Sequence, residues 1–370
     1  MKPALLFVTR NFPPLVGGME RLAAEAVRAL QATYRVGLVG PRGGDAAVDG
    51  LLDFAAVPHG SPLSFLWHAS RAARALAARH RPVAVVAGSG LAATPALLGA
   101  RTCGARTAVF VHGLDLVHPS AGYRLLCLPS VRRASAVIAN SANTARLAAA
   151  AGVPAARVRV VNPGVALPAT RAEPASTREP RLLFVGRLIR RKGLADFVRH
   201  VLPTVVGQVP AATLVVVGGD APDALAGGDD ERARLAAAID ATGMQSHVER
   251  RGEVSDAELL SLYASSAALV FPVQDLPGDV EGFGMVAVEA AAHGLPTIAF
   301  AAGGVPDAVA DGVSGALVPP GDWNRYSEAC VAALRGGLDG VSVESCRAHA
   351  AAFAWPRFGE RLRVVVEELD

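Results

Sequence analysis

The stretch FPVQDLPGDVEGFGMVAVEAAAHGLP, residues 271–296, lays down the end of a strand, a loop and a helix, in that order. Residues 267–271 form an apolar run of strand length that leads the chain in. Pro277, Gly278, Gly282 and Gly284 all disfavour helix, so the helix starts near Gly284. From Met285 to His293 the residues are mostly good helix formers, and Gly294 with Pro296 predicts the C-cap and the stop. A helix that begins just after a strand presents free N–H groups, here those of Phe283, Gly284 and Met285, together with the positive end of its dipole. That is a ready anion site. Two carboxylates bracket it, Glu281 in the loop and Glu289 inside the helix. A carboxylate there repels an anion but accepts hydroxyls, two at once. The stretch fits a ligand that carries both phosphate and sugar hydroxyls.

The plainer alternative is an ordinary strand–loop–helix unit with two solvated acids. Glu289 weighs against it, because its neighbours are almost all Ala, Val and Met, where an unpaired acid is costly. The pattern E-G-F-G-x-x-x-x-E also resembles the E-x7-E motif of the retaining GT-B glycosyltransferases of family 4. The resemblance implies that Glu281 orients hydroxyls of the donor sugar and Glu289 its ribose. Gly282, Phe283, Gly284 and Met285 would then line the donor.

Working outward, the next cluster is Gly186-Arg187-Leu-Ile-Arg-Arg-Lys192-Gly193, which follows the strand-like run at 181–185. Three arginines and a lysine in so short a loop could be a solvated surface. Yet Lys2 and Lys192 are the chain's only lysines among 36 basic residues, so a compact cation retained at 192 beside fork-shaped ones stands out. The run resembles the family's G-R-x-x-x-x-K-G pattern, which implies that Arg187 and Lys192 embrace the donor's diphosphate, with Gly186 beside it.

Near the N-terminus, residues 4–8 read as a buried parallel strand that runs into N-F-P-P-L-V-G-G-M-E at 11–20 and then a helix at 19–30. Gly17-Gly18 is a tight turn on the residues alone. It resembles the family's F-P-P-x-x-G-G-x-E opening, which implies a glycine backbone close to the diphosphate and an acceptor-side role for Asn11. His112 and Asp115 follow a strand at 108–111, where α/β folds place ligands. A lone histidine is more often structural; the resemblance implies that His112 faces the donor sugar and Asp115 the acceptor. Further strands are expected at 36–39, 53–57, 83–87, 136–139, 158–161, 212–217, 247–253 and 297–300, with a helix from about 63 to 79. Asp311-Gly-Val-Ser-Gly315 reads as a hairpin-like turn. Arg250 and Arg251 stand where the family is usually apolar, and Asp307 where it often has Glu.

Length and composition agree with a globular chain of two domains. The chain has 370 residues, 51% apolar and only 5% aromatic. Its four cysteines have no metal or redox spacing, which fits a reducing cytoplasm. The first ten residues look like a strand rather than a signal peptide, and the uncharged run 82–100 is broken by glycine and proline, unlike a membrane span. The net charge of +3 hides a division. Residues 1–175 carry 19 Lys and Arg against 7 Asp and Glu, a net of +12; residues 176–370 carry 17 against 26, a net of −9. The segment 65–81, with Phe65, Leu66, Trp67 and four arginines, and the Arg132-Arg133 pair suit peripheral contact with an anionic membrane.

The fold class expected is α/β: GT-B, two doubly wound Rossmann-like domains facing across a cleft. The first spans 1–170 with a C-terminal helix at 356–370 packing back on it, the second 171–355, joined by a polar, proline-rich linker at 168–181. The resemblance, which covers nearly the whole chain, implies a retaining transferase without cofactor or metal, since no D-x-D motif stands where one would be demanded. The donor would be a GDP- or UDP-linked sugar and the acceptor lipid-linked or a glycan of the cell envelope. No nucleic-acid partner is implied. A GT-B sugar-nucleotide epimerase and a non-catalytic sugar-nucleotide-binding module are the alternatives.

Overall fold

A computed structural model describes residues 2–168, 178–219 and 231–369. Short apolar runs, buried on both faces in the central strands and less so in β3, β7 and β10 at the edges, form two parallel sheets, as expected where helices cover both sides. The first sheet comprises β1 (Ala4–Val8), β2 (Arg35–Pro41), β3 (Asp53–Val57), β4 (Ala84–Ala87), β5 (Arg106–Val111), β6 (Ala136–Ala139) and β7 (Val158–Val160). Their spatial order is β3-β2-β1-β4-β5-β6-β7. The second comprises β8 (Arg181–Val185), β9 (Thr213–Val217), β10 (Val248–Gly252), β11 (Ala268–Phe271), β12 (Thr297–Phe300) and β13 (Gly315–Val318), in the order β10-β9-β8-β11-β12-β13. Both orders reverse direction once, between β1 and β4 and between β8 and β11, and those switch points open the crevices in which doubly wound sheets bind ligands.

The chain divides into two compact units, Met1–Gly164 with Trp355–Asp370, and Val165–Ala354. The expected boundaries lay at 170/171 and 355/356. The observed ones fall earlier because Val165 donates its N–H to the Phe353 carbonyl (2.8 Å) and bridges Ala354, so the chain enters and leaves the second unit at adjacent points. Residues 169–177 of the expected linker lie outside the described residues. The final helix, Trp355–Glu367, buries Phe358, Leu362, Val365 and Val366 in the first unit's core beside α1 (Gly18–Gln31). Gly359 lets the two helices approach: a Cβ there would stand 3.0 Å from that of Ala29.

Three expectations need adjustment. The strand at 36–39 extends to Arg35–Pro41, because it is paired on both sides, by β1 and by β3. The turn at 311–315 makes no hairpin; β13 runs parallel to β12. Arg250 and Arg251 lie on β10, an edge strand, and both are exposed. Arg251 pairs there with Glu249 and Glu258, which blunts the edge with charge and accounts for arginine where an apolar residue was expected.

Candidate active site

The expected site residues fall into two groups, one in each unit. In the second unit β8 ends at Val185 and leads through Gly186 into a loop that closes with the short turn Arg190–Lys192 and Gly193. Gly193 has φ +69°, and a Cβ on it would collide with the Pro272 carbonyl oxygen. Only glycine lets this loop lie against the one that follows β11. The two loops are sewn together. The Gln274 N–H donates to the Arg191 carbonyl (2.9 Å), and the Gln274 amide donates to Asp196 (2.9 Å).

Inside this seam lies a charge cluster. Lys192 Nζ donates to Glu281 Oε2 (2.8 Å) and stands over the Phe271 ring, 4.5 Å from its centroid. Arg191 donates from Nε to Asp279 Oδ1 (2.8 Å) and from Nη1 to the same Glu281 oxygen. Side chains of Arg191, Lys192 and Glu281 are each about nine-tenths buried, whereas Arg187 is exposed. Burial pushes the Glu281 carboxyl up, but Arg191, Lys192 and Arg187 outweigh it and hold its pKa at about 2. The Lys192 pKa is lowered as well, which in its case disfavours the charged form. Burial and the neighbouring arginines lower its pKa despite Glu281. The pair thus favours the carboxylate's charge more than the ammonium's.

The helix after the loop runs Met285–Ala292, with Gly284 in the left-handed region before it. A Cβ on Gly284 would stand 2.9 Å from the Phe271 ring, so the strand end, the helix start and the ring beneath Lys192 pack as one piece. Phe283 is buried, Gly282 and Met285 are half-buried, and Glu289 is half-buried among Ala287, Val288 and Ala290. Behind Glu281, the Gly304 N–H donates to its carbonyl (2.8 Å). Sequence reasoning singled out Arg187 and Lys192 but missed Arg191, whose burial nothing in a run of arginines signals.

The first unit brings its own candidates together. His112 Nε2 donates to the Gly88 carbonyl (2.9 Å), which leaves Nδ1 as an acceptor. The His112 N–H donates to Asp115 Oδ2 (2.9 Å), and Tyr123 donates its hydroxyl to Asp115 Oδ1 (3.1 Å). Tyr123 was not foreseen: it sits in the six-residue helix Ala121–Leu126, too short for a periodic pattern. Gly17 and Gly18 open α1 as expected, but the Glu20 carboxylate lies directly against Gly17, held by the Asn11 amide (2.7 Å). The chain's own acid therefore lies beside the Gly17 backbone. Among the described residues no three His, Cys, Asp or Glu side chains gather as metal ligands would.

Two doubly wound parallel-sheet units in one chain, the second with a cationic, glycine-bounded loop at its switch point, define the GT-B class. Residues 16–167 match the family model for Glycosyltransferase Family 4, and residues 179–336 that for Glycosyl transferases group 1. The chain belongs to these glycosyltransferases. It is 35% identical over 215 residues to D-inositol 3-phosphate glycosyltransferase of Mycobacterium marinum, which covers 54% of this chain and 42% of that protein. It is 32% identical over 251 residues to D-inositol 3-phosphate glycosyltransferase 1 of Catenulispora acidiphila, covering 64% and 57%. The matches thus span about half the length of these relatives. Among solved structures, Anabaena HepE in complex with UDP and glucose superposes with a TM-score of 0.77 at 19% identity, over 99% of this chain and 100% of that one. The lipopolysaccharide outer core galactosyltransferase WaaB gives 0.74 at 16% identity, over 99% of each. At such identities the superpositions establish the fold.

Proposed function

We propose that the protein is a retaining, metal-independent glycosyltransferase that moves a hexose-type sugar from a nucleoside diphosphate sugar to a phosphate-bearing acceptor of the cell envelope. The observation that carries this reading is the Lys192–Glu281 pair, buried at the switch point of the second sheet beside a helix N-terminus. A cation, free N–H groups and a carboxylate gathered there suit the two ends of such a donor. Lys192, Arg187 and the N–H groups take up charge on the departing diphosphate, and Glu281 orients sugar hydroxyls. Charge develops on the leaving group, so donors already in place there lower the barrier most. Glu289 holds the ribose. Roles for His112, with Nδ1 left as acceptor, toward the sugar and for Asn11 and Asp115 toward the acceptor belong to the same proposal. In this reading retention proceeds by front-face attack.

The base and sugar stay at the level of GDP-mannose or a UDP-sugar, with UDP supported by the ligand of HepE. The relatives' acceptor, by name an inositol phosphate, and the net charge of +12 on residues 1–175 both favour an anionic acceptor, lipid-linked or free. No described helix is long and apolar enough to cross a membrane, and cytoplasmic placement with peripheral contact on the inner membrane face goes with this reading.

A panel of UDP- and GDP-sugars, assayed for nucleotide release with and without phosphorylated polyol or lipid acceptors, tests it. Release should rise with acceptor, survive chelator and give a product of unchanged anomeric configuration. Replacing Lys192 or Arg187 with Ala should cut turnover roughly 10²-fold, as for a lost charge-stabilising donor. Absence of release from every donor, or full activity in both variants, would remove the assignment.

A further inference from the structure

Glu281 has two cations on one oxygen, and they are held very differently. Lys192 reaches it through a single hydrogen bond at the end of a flexible stem. Arg191 is tied at three points: its carbonyl accepts from Gln274 at the start of the β11 loop, and its guanidinium spans Asp279 and Glu281 near the loop's end. The fork shape of a guanidinium suits such a bridge, and an ammonium could not make it.

We propose that Arg191 is a positioning residue: it is the fixed counter-ion of Glu281, and it thereby frees Lys192 to turn to the donor's diphosphate. The inference rests on the nucleotide-sugar reading of this site. A buried carboxylate cannot be left without a partner, so if Lys192 leaves, another cation must stay. Arg191 stays because its other ties do not involve the ligand. Without it, Glu281 would hold Lys192, and donor affinity would fall although no group touching the donor had been removed. The conclusion is a coupling between a buried arginine and nucleotide binding, transmitted through one carboxylate.

Calorimetry with UDP and GDP on the full chain tests it. Arg191→Met should weaken binding of the preferred nucleotide roughly tenfold, a typical size for coupling between sites. Arg191→Lys should restore part of the loss. The decisive measurement is the double variant Arg191→Met with Glu281→Gln. With the carboxylate neutralised, Lys192 is released, so binding should return to that of Glu281→Gln alone. A residue that merely braces the loop, or one that touches phosphate itself, would show no such rescue. Should Arg191→Met fail to fold, Asp279→Asn loosens the guanidinium in place and is read the same way, alone and with Glu281→Gln. Unchanged affinity in Arg191→Met or Asp279→Asn, or a double variant as weak as the single one, overturns the proposal. A wild-type protein that binds neither UDP nor GDP would instead overturn the nucleotide-sugar reading itself, and this inference with it.

Discussion

Glu281 shows how much of the site one side chain carries. Its carboxyl is held at a pKa of about 2, against an ordinary value of 4.5, because two buried cations outweigh its desolvation. The folded state therefore binds fewer protons than the unfolded one between those values. The resulting stability is fully present above pH 4.5 and is lost as pH falls through about 2. A shift of this size corresponds to roughly 3 kcal/mol. Glu281→Gln should lower stability at pH 7, and the gap between variant and wild type should close as pH drops from 4.5 towards 2. Urea unfolding across that range checks it; a gap independent of pH would mean that the carboxylate's ion pairs contribute nothing. The place of Glu281, in the loop just ahead of a helix, was legible in the sequence from E-G-F-G-x-x-x-x-E. Its cationic partners were legible only in part. Lys192 stood out as a lysine where arginine is the default, whereas Arg191 resembles Arg190 until folding buries one and exposes the other.

Elements were easier to read than contacts, because a buried parallel strand is a short apolar run with turn residues at each end. Residues 53–57, 136–139, 181–185 and 297–300 are strands with the bounds their sequence suggests. Contacts between elements depend on residues far apart in the chain, and no local pattern carries them. Tyr326 on the helix Trp323–Arg335 is an example. Its hydroxyl accepts from the Phe271 N–H (2.9 Å) and donates to the Ile298 carbonyl (2.5 Å), so it joins β11 to β12 at the end of the ladder. The same Phe271 supports Lys192 and abuts Gly284, which makes the tyrosine part of the scaffold beneath the site. Tyr326→Phe removes one oxygen and strands two buried backbone groups. Each such group costs about 1–3 kcal/mol, so a loss of about 2–6 kcal/mol is expected. Chemical denaturation measures it directly. A change below about 0.5 kcal/mol would show that the strand ends find other partners and that the hydroxyl is not their link.

At the scale of the whole molecule, the division of charge that was visible in the sequence coincides with the division into units, apart from the last helix. The basic unit also exposes apolar side chains where a surface could receive them. Along α2 (Pro62–His80), Leu63 and Trp67 are 68% and 69% exposed, and Arg71 and Arg74 continue the exposed positions at helical spacing. In the helix Ala121–Leu126, Leu125 is 75% exposed next to exposed Arg124. A tryptophan among arginines on a helix face suits the boundary between headgroups and acyl chains. Each basic residue near an anionic surface contributes about 1 kcal/mol, so four or five together give reversible attachment without a span. The attraction decays over a Debye length of about 10 Å at 0.1 M salt, and it should weaken as salt rises. The competing explanation is that these arginines replace lysines on an ordinary hydrated surface, in which case the exposed Leu63 and Trp67 have no role. Co-sedimentation with vesicles separates the two. Attachment should require anionic lipid, fail at high salt, and fall in Arg71→Glu with Arg74→Glu; Trp67→Ala should weaken what remains at high salt. Equal partitioning to neutral and anionic vesicles would exclude the electrostatic attachment, and none to either would exclude the membrane surface and leave a free phosphorylated polyol as the acceptor that the basic unit meets.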